Sequence, residues 1–200
     1  MASDEFAVLR ERVRTSFRDA AATQWSDSRL DDLIDSAQAD WCFLTGELRG
    51  WQPGVTTESG VMPMPSGCVR PVGFTLSDGR SLPVSGWRML ARTFGDFRRR
   101  TGDFPVAVCF DFDGWGGYRL FPRVPAGQEI GRLEYCRAPV SGRLEIREDA
   151  ALAAHALWQM SLLTGRDGRQ WWDAFMAAAN ARCGHAVGRT GGRVTRGRFF

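Results

Sequence analysis

The chain has 200 residues, 44% of them hydrophobic and 24% charged, which suits one large folded domain or two small ones and excludes disorder as the default state. All 26 basic residues are Arg, and the formal charge of +3 is too small to mark a nucleic-acid binder by itself. Eight Trp accompany them, and Trp and Arg are the side chains that most often anchor protein interfaces.

Helical periodicity opens the chain. Phe6, Leu9, Val13 and Phe17 share one face of a helix over 4–19, with Ser3 placed to cap it and Asp4 and Glu5 in its positively polarised first turn. Arg10, Arg14 and Arg18 form a basic stripe on another part of its surface. A second helix over 26–45 has Ser26 as N-cap and Trp25 and Leu30 as a hydrophobic staple. Its apolar face is Leu30, Leu33, Ile34, Ala37, Trp41 and Leu44, and Gly46 ends it. Asp27, Asp31 and Asp35 make a separate acidic stripe.

From 50 to 146 Pro and Gly recur between short β-branched and aromatic runs. Ser77-Asp78-Gly79-Arg80 predicts a hairpin between 72–76 and 81–84. A short helix follows at 86–94, with Trp87 and Leu90 turned inward. Strands at 106–112 and 118–121 pair around Asp113-Gly114-Trp115-Gly116-Gly117, and another strand covers 130–137. Helices return at 147–164 and 168–183. The last carries Trp171, Phe175 and Ala178 on its inner face, starts at a capping-box pair, Asp167 and Gln170, and stops at Gly184. The segment 185–200 combines Gly with Arg189, Arg193, Arg196 and Arg198, holds no acid and ends in Phe199-Phe200. It has no core of its own, so it is expected to be disordered alone and to order on a partner.

This pattern predicts an α+β fold. Residues 1–49 and 147–184 supply the helices of one bundle, because no terminal helix buries its apolar face unless the helices meet. Residues 50–146 form a β-rich insertion, and 185–200 a flexible basic arm.

No catalytic constellation is visible. There are two His; a nucleophile needs a base and an orienting group, and no G-x-S-x-G, P-loop or G-x-G-x-x-G occurs. Asp111 and Asp113 read more simply as a strand end than as a metal pair. Cys183-Gly184-His185 offers two ligand types where zinc needs three or four, and His155 reads as a packing residue. Cys42, Cys68, Cys109, Cys136 and Cys183 are odd in number and lack a C-x-x-C spacing, which argues against a disulfide framework and for buried thiols in a reducing compartment. Residues 1–24 lack a signal-peptide core, and no apolar run approaches a membrane span. No enzyme, cofactor or metal is expected. The basic arm leaves open a nucleic-acid-binding reading, in which it neutralises phosphates.

The ordered features resemble the head-to-tail adaptor proteins of short-tailed bacteriophages. The residues that carry the resemblance begin with Leu9-Arg10-Glu11-Arg12-Val13-Arg14, Asp19-Ala20-Ala21, Trp25-Ser26-Asp27 and Leu30 through Gln38, similar to the family's opening helix, loop and second helix. Met64-Pro65 and the Gly79–Leu82 hairpin resemble the start of its sheet. Gly102-Asp103-Phe104-Pro105 and Leu120-Phe121-Pro122 resemble later strand signals, and Ala150–Leu163 with Trp171–Arg182 resembles the closing helix pair. The resemblance covers nearly the whole chain. It implies a virion subunit at the head–tail junction, assembled in the host cytoplasm into a ring, usually twelve-fold. The ring would join the portal protein to the tail nozzle protein, and double-stranded genomic DNA would pass through it during ejection without sequence-specific contact. No membrane is implied. On this reading Arg189, Arg193, Arg196, Arg198, Phe199 and Phe200 bind the portal. Arg10, Arg14 and Arg18 of one subunit meet Asp27, Asp31 and Asp35 of the next.

Overall fold

A computed structural model describes residues 5–19, 24–110 and 116–190, with side chains as far as Cys183. The protein is α+β, with five α-helices and two antiparallel sheets among the described residues. It divides into two compact units. One is made from both ends of the chain, up to Glu47 and from Pro139 onward; the other is Leu48–Ala138.

The terminal unit holds α1 (Ala7–Phe17), α2 (Asp27–Thr45), α4 (Asp149–Leu163) and α5 (Arg169–Thr190), and the four helices pack on one another. Helix α1 starts later than the periodicity suggests, at Ala7 with Phe6 as an N-cap that makes no side-chain cap bond; Ser3 and Asp4 lie outside the described residues. Glu5 accepts the Leu144 N–H at 2.9 Å. Helix α2 follows the sequence closely. Ser26 accepts the Arg29 N–H, and Gly46 closes the helix in the left-handed conformation at φ 65°.

Helix α4 is buried on nearly every side, from Ala151 through Leu157 and on to Met160 and Ser161. Such a helix needs neighbours all round, and it touches α1, α2 and α5. Its Ala-rich sequence lets those backbones approach. Helix α5 presents Phe175 and Ala179 to the core, while Trp171 and Ala178 are only half-buried. Phe175 meets Trp41 of α2 edge-on at 5.8 Å. Asp167 accepts the Arg169 N–H at 2.9 Å, a local turn just ahead of α5 in place of the Asp167–Gln170 capping box expected from the sequence. The helix does not stop at Gly184. It continues to Thr190, because one Gly costs a helix only about 1 kcal/mol and the following Ala186 and Val187 continue the pattern.

The Leu48–Ala138 unit stacks two sheets. The larger has the order β1 (Arg49–Val55), β7 (Glu129–Arg137), β3 (Cys68–Leu76), β4 (Ser81–Leu82); the smaller has the order β2 (Met62–Pro63), β6 (Gly117–Phe121), β5 (Ala107–Phe110). The Asp78-Gly79 hairpin pairs β3 with β4, and β5 pairs with β6, as the turn chemistry predicts. The side-chain period of two then fixes both faces of the small sheet. Val108, Tyr118 and Leu120 join Phe74, Leu76, Leu82 and Leu133 of the large sheet in one core. Cys109 and Phe121 point the other way, to Leu90 of α3 (Trp87–Phe94) and Phe97 of the 3₁₀ turn Phe97–Arg99. Trp87 does not point inward. It is 38% exposed at the first position of α3, while Leu90 one turn further on is buried. Gly131 is required by close approach, because a Cβ there would lie 2.2 Å from the Thr75 carbonyl oxygen.

Candidate functional site

The two charged stripes meet inside one chain. Arg10 Nη1 lies 3.3 Å from Asp31 Oδ2 and 3.5 Å from Asp27 Oδ2. Arg14 Nη2 reaches Asp27 Oδ1 at 2.5 Å, and both its terminal nitrogens donate to the Trp25 carbonyl, at 3.2 and 3.0 Å. Burial explains the commitment: the Arg10 and Arg14 side chains are only 12% and 7% exposed, and buried guanidinium groups require such partners. The sequence reading sets these residues opposite each other across subunits, and the structure shows Arg10, Arg14, Asp27 and Asp31 already paired in one subunit. Periodicity reveals a stripe but not which helix it faces.

Arg18 and Asp35 stand apart from that pairing. Arg18 closes α1 in the left-handed region at φ 62°, where its N–H donates to the Arg14 and Thr15 carbonyls. Asp35 Oδ2 accepts the Ser141 hydroxyl at 2.6 Å and the Gly142 N–H at 2.9 Å, pinning the turn that leads into α4. The start of α2 still holds an excess of carboxylates. Burial pushes the Asp31 carboxyl above its ordinary value; Arg10 opposes that, and the charges of Asp27, Asp35 and Asp32 add to it.

Of the six residues expected to grip the portal, Arg189 lies in the last turn of α5, and Arg193, Arg196, Arg198, Phe199 and Phe200 lie outside the described residues. Asp111 and Asp113 also lie outside them. Among the described residues no three His, Cys, Asp or Glu side chains gather as a metal site would require. No described helix is long and apolar enough to cross a membrane. All five Cys are free thiols; Cys42, Cys109 and Cys136 are buried, whereas Cys68 and Cys183 are half-buried.

His155 is buried completely on α4. Its Nε2 lies 2.9 Å from Asp40 Oδ2, and its Nδ1 lies 3.3 Å from Gln159 Nε2. Trp158, Trp172 and Phe175 surround the ring, with Phe175 nearest at 4.6 Å. Burial lowers its pKa, against the pull of Asp40. The environment favours a neutral ring that ties α2, α4 and α5 together.

The sequence reading missed a basic ridge in the Leu48–Ala138 unit. Arg88 and Arg92 of α3 and Arg98, Arg99 and Arg100 of the following turn are all exposed. Arg88 lies over the Trp87 ring at 5.4 Å, Arg100 over Phe94 at 5.4 Å, and Arg99 pairs with Asp96 at 3.4 Å. The signal was the run Arg98-Arg99-Arg100 ten residues after Arg88. It carries little weight until Leu90 and Phe97 are seen to enter the same core, which brings the helix and the turn together.

The described residues present exposed charged and aromatic surfaces. No curated protein matches the sequence. A family model described as SU10 adaptor protein matches residues 5–197, which takes in both units. The chain therefore belongs to the SU10 adaptor protein family, and is a phage head-to-tail adaptor.

Proposed function

We propose that this adaptor is the repeating subunit of a ring, twelve-fold like a portal, that joins the portal protein to the tail nozzle protein of a short-tailed phage and leaves a lumen for genomic DNA. The family match over 5–197 carries the reading. The terminal helices are the portal-facing part and the β-rich unit the nozzle-facing part. The protein acts by binding and takes no cofactor. Its place is the virion, after assembly in the host cytoplasm.

The basic arm is the portal contact. Arg189, Arg193, Arg196 and Arg198 suit an acidic groove, and Phe199 or Phe200 suits a pocket within it. Fixing the ten residues of 191–200, beyond the end of α5, costs roughly 1–2 kcal/mol each in backbone entropy. Only a partner that holds many arms at once offsets that, through high effective concentration.

Deletion of 186–200 tests the reading. The truncated protein should stay folded and soluble and should lose portal capture in a pull-down, with no salt-sensitive duplex affinity before or after. The mass of the complex with portal gives the ring number. Full portal affinity after truncation rejects the arm. Loss of salt-dependent DNA binding instead supports a nucleic-acid clamp.

A further inference from the structure

The two units carry opposite charge. Leu48–Ala138 has twelve Arg against eight Asp and Glu, a net of +4. The terminal unit, up to Glu47 and from Pro139 onward, has fourteen Arg against fifteen Asp and Glu, a net of −1, and four of those Arg stand at 189–198, away from its carboxylates in sequence. Each excess is concentrated. The positive one peaks at Arg88, Arg92, Arg98, Arg99 and Arg100, five exposed guanidinium groups on thirteen residues that contain one acid, Asp96. Exposed Trp87 and Met89 flank this ridge, and Trp, Met and Arg together are the composition of a protein-binding surface more than of a phosphate-binding one. The negative excess peaks at the start of α2. There Asp27 and Asp31 pair with Arg10 and Arg14, Asp35 accepts from Ser141 and Gly142, and Asp32 is exposed, with Arg29 the one basic residue in the stretch 27–35.

We propose that the arginine ridge of α3 and its 3₁₀ turn docks on the aspartate-rich start of α2 in a neighbouring copy of this chain. A surface that carries both halves of a complementary contact at different places makes a head-to-tail interface, and such interfaces close into rings. The proposal rests on the ring reading and specifies which surfaces would form it. It also gives the α2 carboxylates a contact beyond the subunit while Arg10 and Arg14 remain engaged inside. The residual repulsion among those carboxylates, which adds to the upward push on Asp31, is relieved by a neighbour's guanidinium groups.

The test uses the full chain, alone and on portal, with sedimentation and native mass at about 50 mM and about 500 mM salt. Wild-type association should weaken roughly tenfold or more at the higher salt, as solvent-accessible charge pairs do when screened. Arg92→Glu/Arg99→Glu/Arg100→Glu should weaken it by a similar factor at low salt, with an unchanged circular dichroism spectrum because all three side chains are exposed. Asp32→Arg should do the same. The chain carrying both Arg99→Glu and Asp32→Arg should recover assembly, since it restores an opposite-charge pair at every contact. Rings that form normally from the triple variant would overturn the ridge and leave the ring reading standing. A triple variant that assembles normally but loses affinity for duplex DNA would reassign the ridge to nucleic acid. Absence of any assembly by the wild-type chain, on portal or off, would reject the ring reading and this contact with it.

Discussion

Gln38 is a polar side chain at a position where α2 otherwise buries apolar ones, and it is fully buried. Its Oε1 accepts the backbone N–H of Glu145 at 2.9 Å and of Ile146 at 3.2 Å, and its Nε2 donates to the Arg143 carbonyl at 2.9 Å. One amide therefore satisfies the turn that leads the chain back into α4. Gln38→Leu keeps the volume and strands those groups, so unfolding in urea should show a loss of about 2–4 kcal/mol. Tyr118 is the opposite case. Its hydroxyl is buried with no hydrogen-bond partner, and burial pushes its pKa up to about 12. Its ring packs against Phe74 at 5.9 Å, so the ring is what the core uses. Tyr118→Phe removes the stranded hydroxyl and should leave stability unchanged or raise it by about 1 kcal/mol, seen as an equal or higher Tm. Neither outcome is readable from the sequence, where a Gln on a helix and a Tyr on a strand both look ordinary.

At the scale of elements, α4 carries a buried group sensitive to protonation. His155 keeps a lowered pKa in the folded protein, while an unfolded imidazole titrates near its ordinary 6.5. Below that pH the unfolded chain binds the proton more readily than the folded one, so the stability that the neutral ring contributes is present above about 6.5 and is lost as pH falls toward the folded value. The urea midpoint should drop between pH 7.5 and 5.5. His155→Gln should flatten that dependence even if the variant is less stable throughout. Elements with strong local chemistry were legible in advance: α2 through Ser26 and Gly46, the β3–β4 hairpin through Asp78-Gly79, and β5 and β6 through their alternation. Strand β1 was not, because Gly50, Pro53 and Gly54 interrupt any period. Gly54 lies there because Phe74 occupies the space a Cβ would need, at 2.3 Å, and that is a tertiary fact. The stripes were legible as stripes. Their mutual pairing was not, because it depends on how the chain turns between α1 and α2.

At the scale of the whole molecule, the β-rich unit begins and ends on neighbouring strands. Arg49 of β1 stands opposite Cys136 of β7, and the Arg137 N–H donates to the Leu48 carbonyl at 3.0 Å. The chain therefore leaves the terminal unit and returns to it through points about 5 Å apart, the spacing of one antiparallel pair. Replacing Leu48–Ala138 with a short Gly-Ser turn should yield a soluble helical protein with a cooperative thermal transition, since joining ends that are already adjacent costs little loop-closure entropy. The core of that unit, from Leu9 and Val13 through Trp41, Leu152, Met160 and Phe175, lies wholly outside the excised segment. A doorway of this kind has an evolutionary meaning. A lineage can lengthen, shorten or exchange everything beyond the β1–β7 clasp, and the helical frame need not register the substitution.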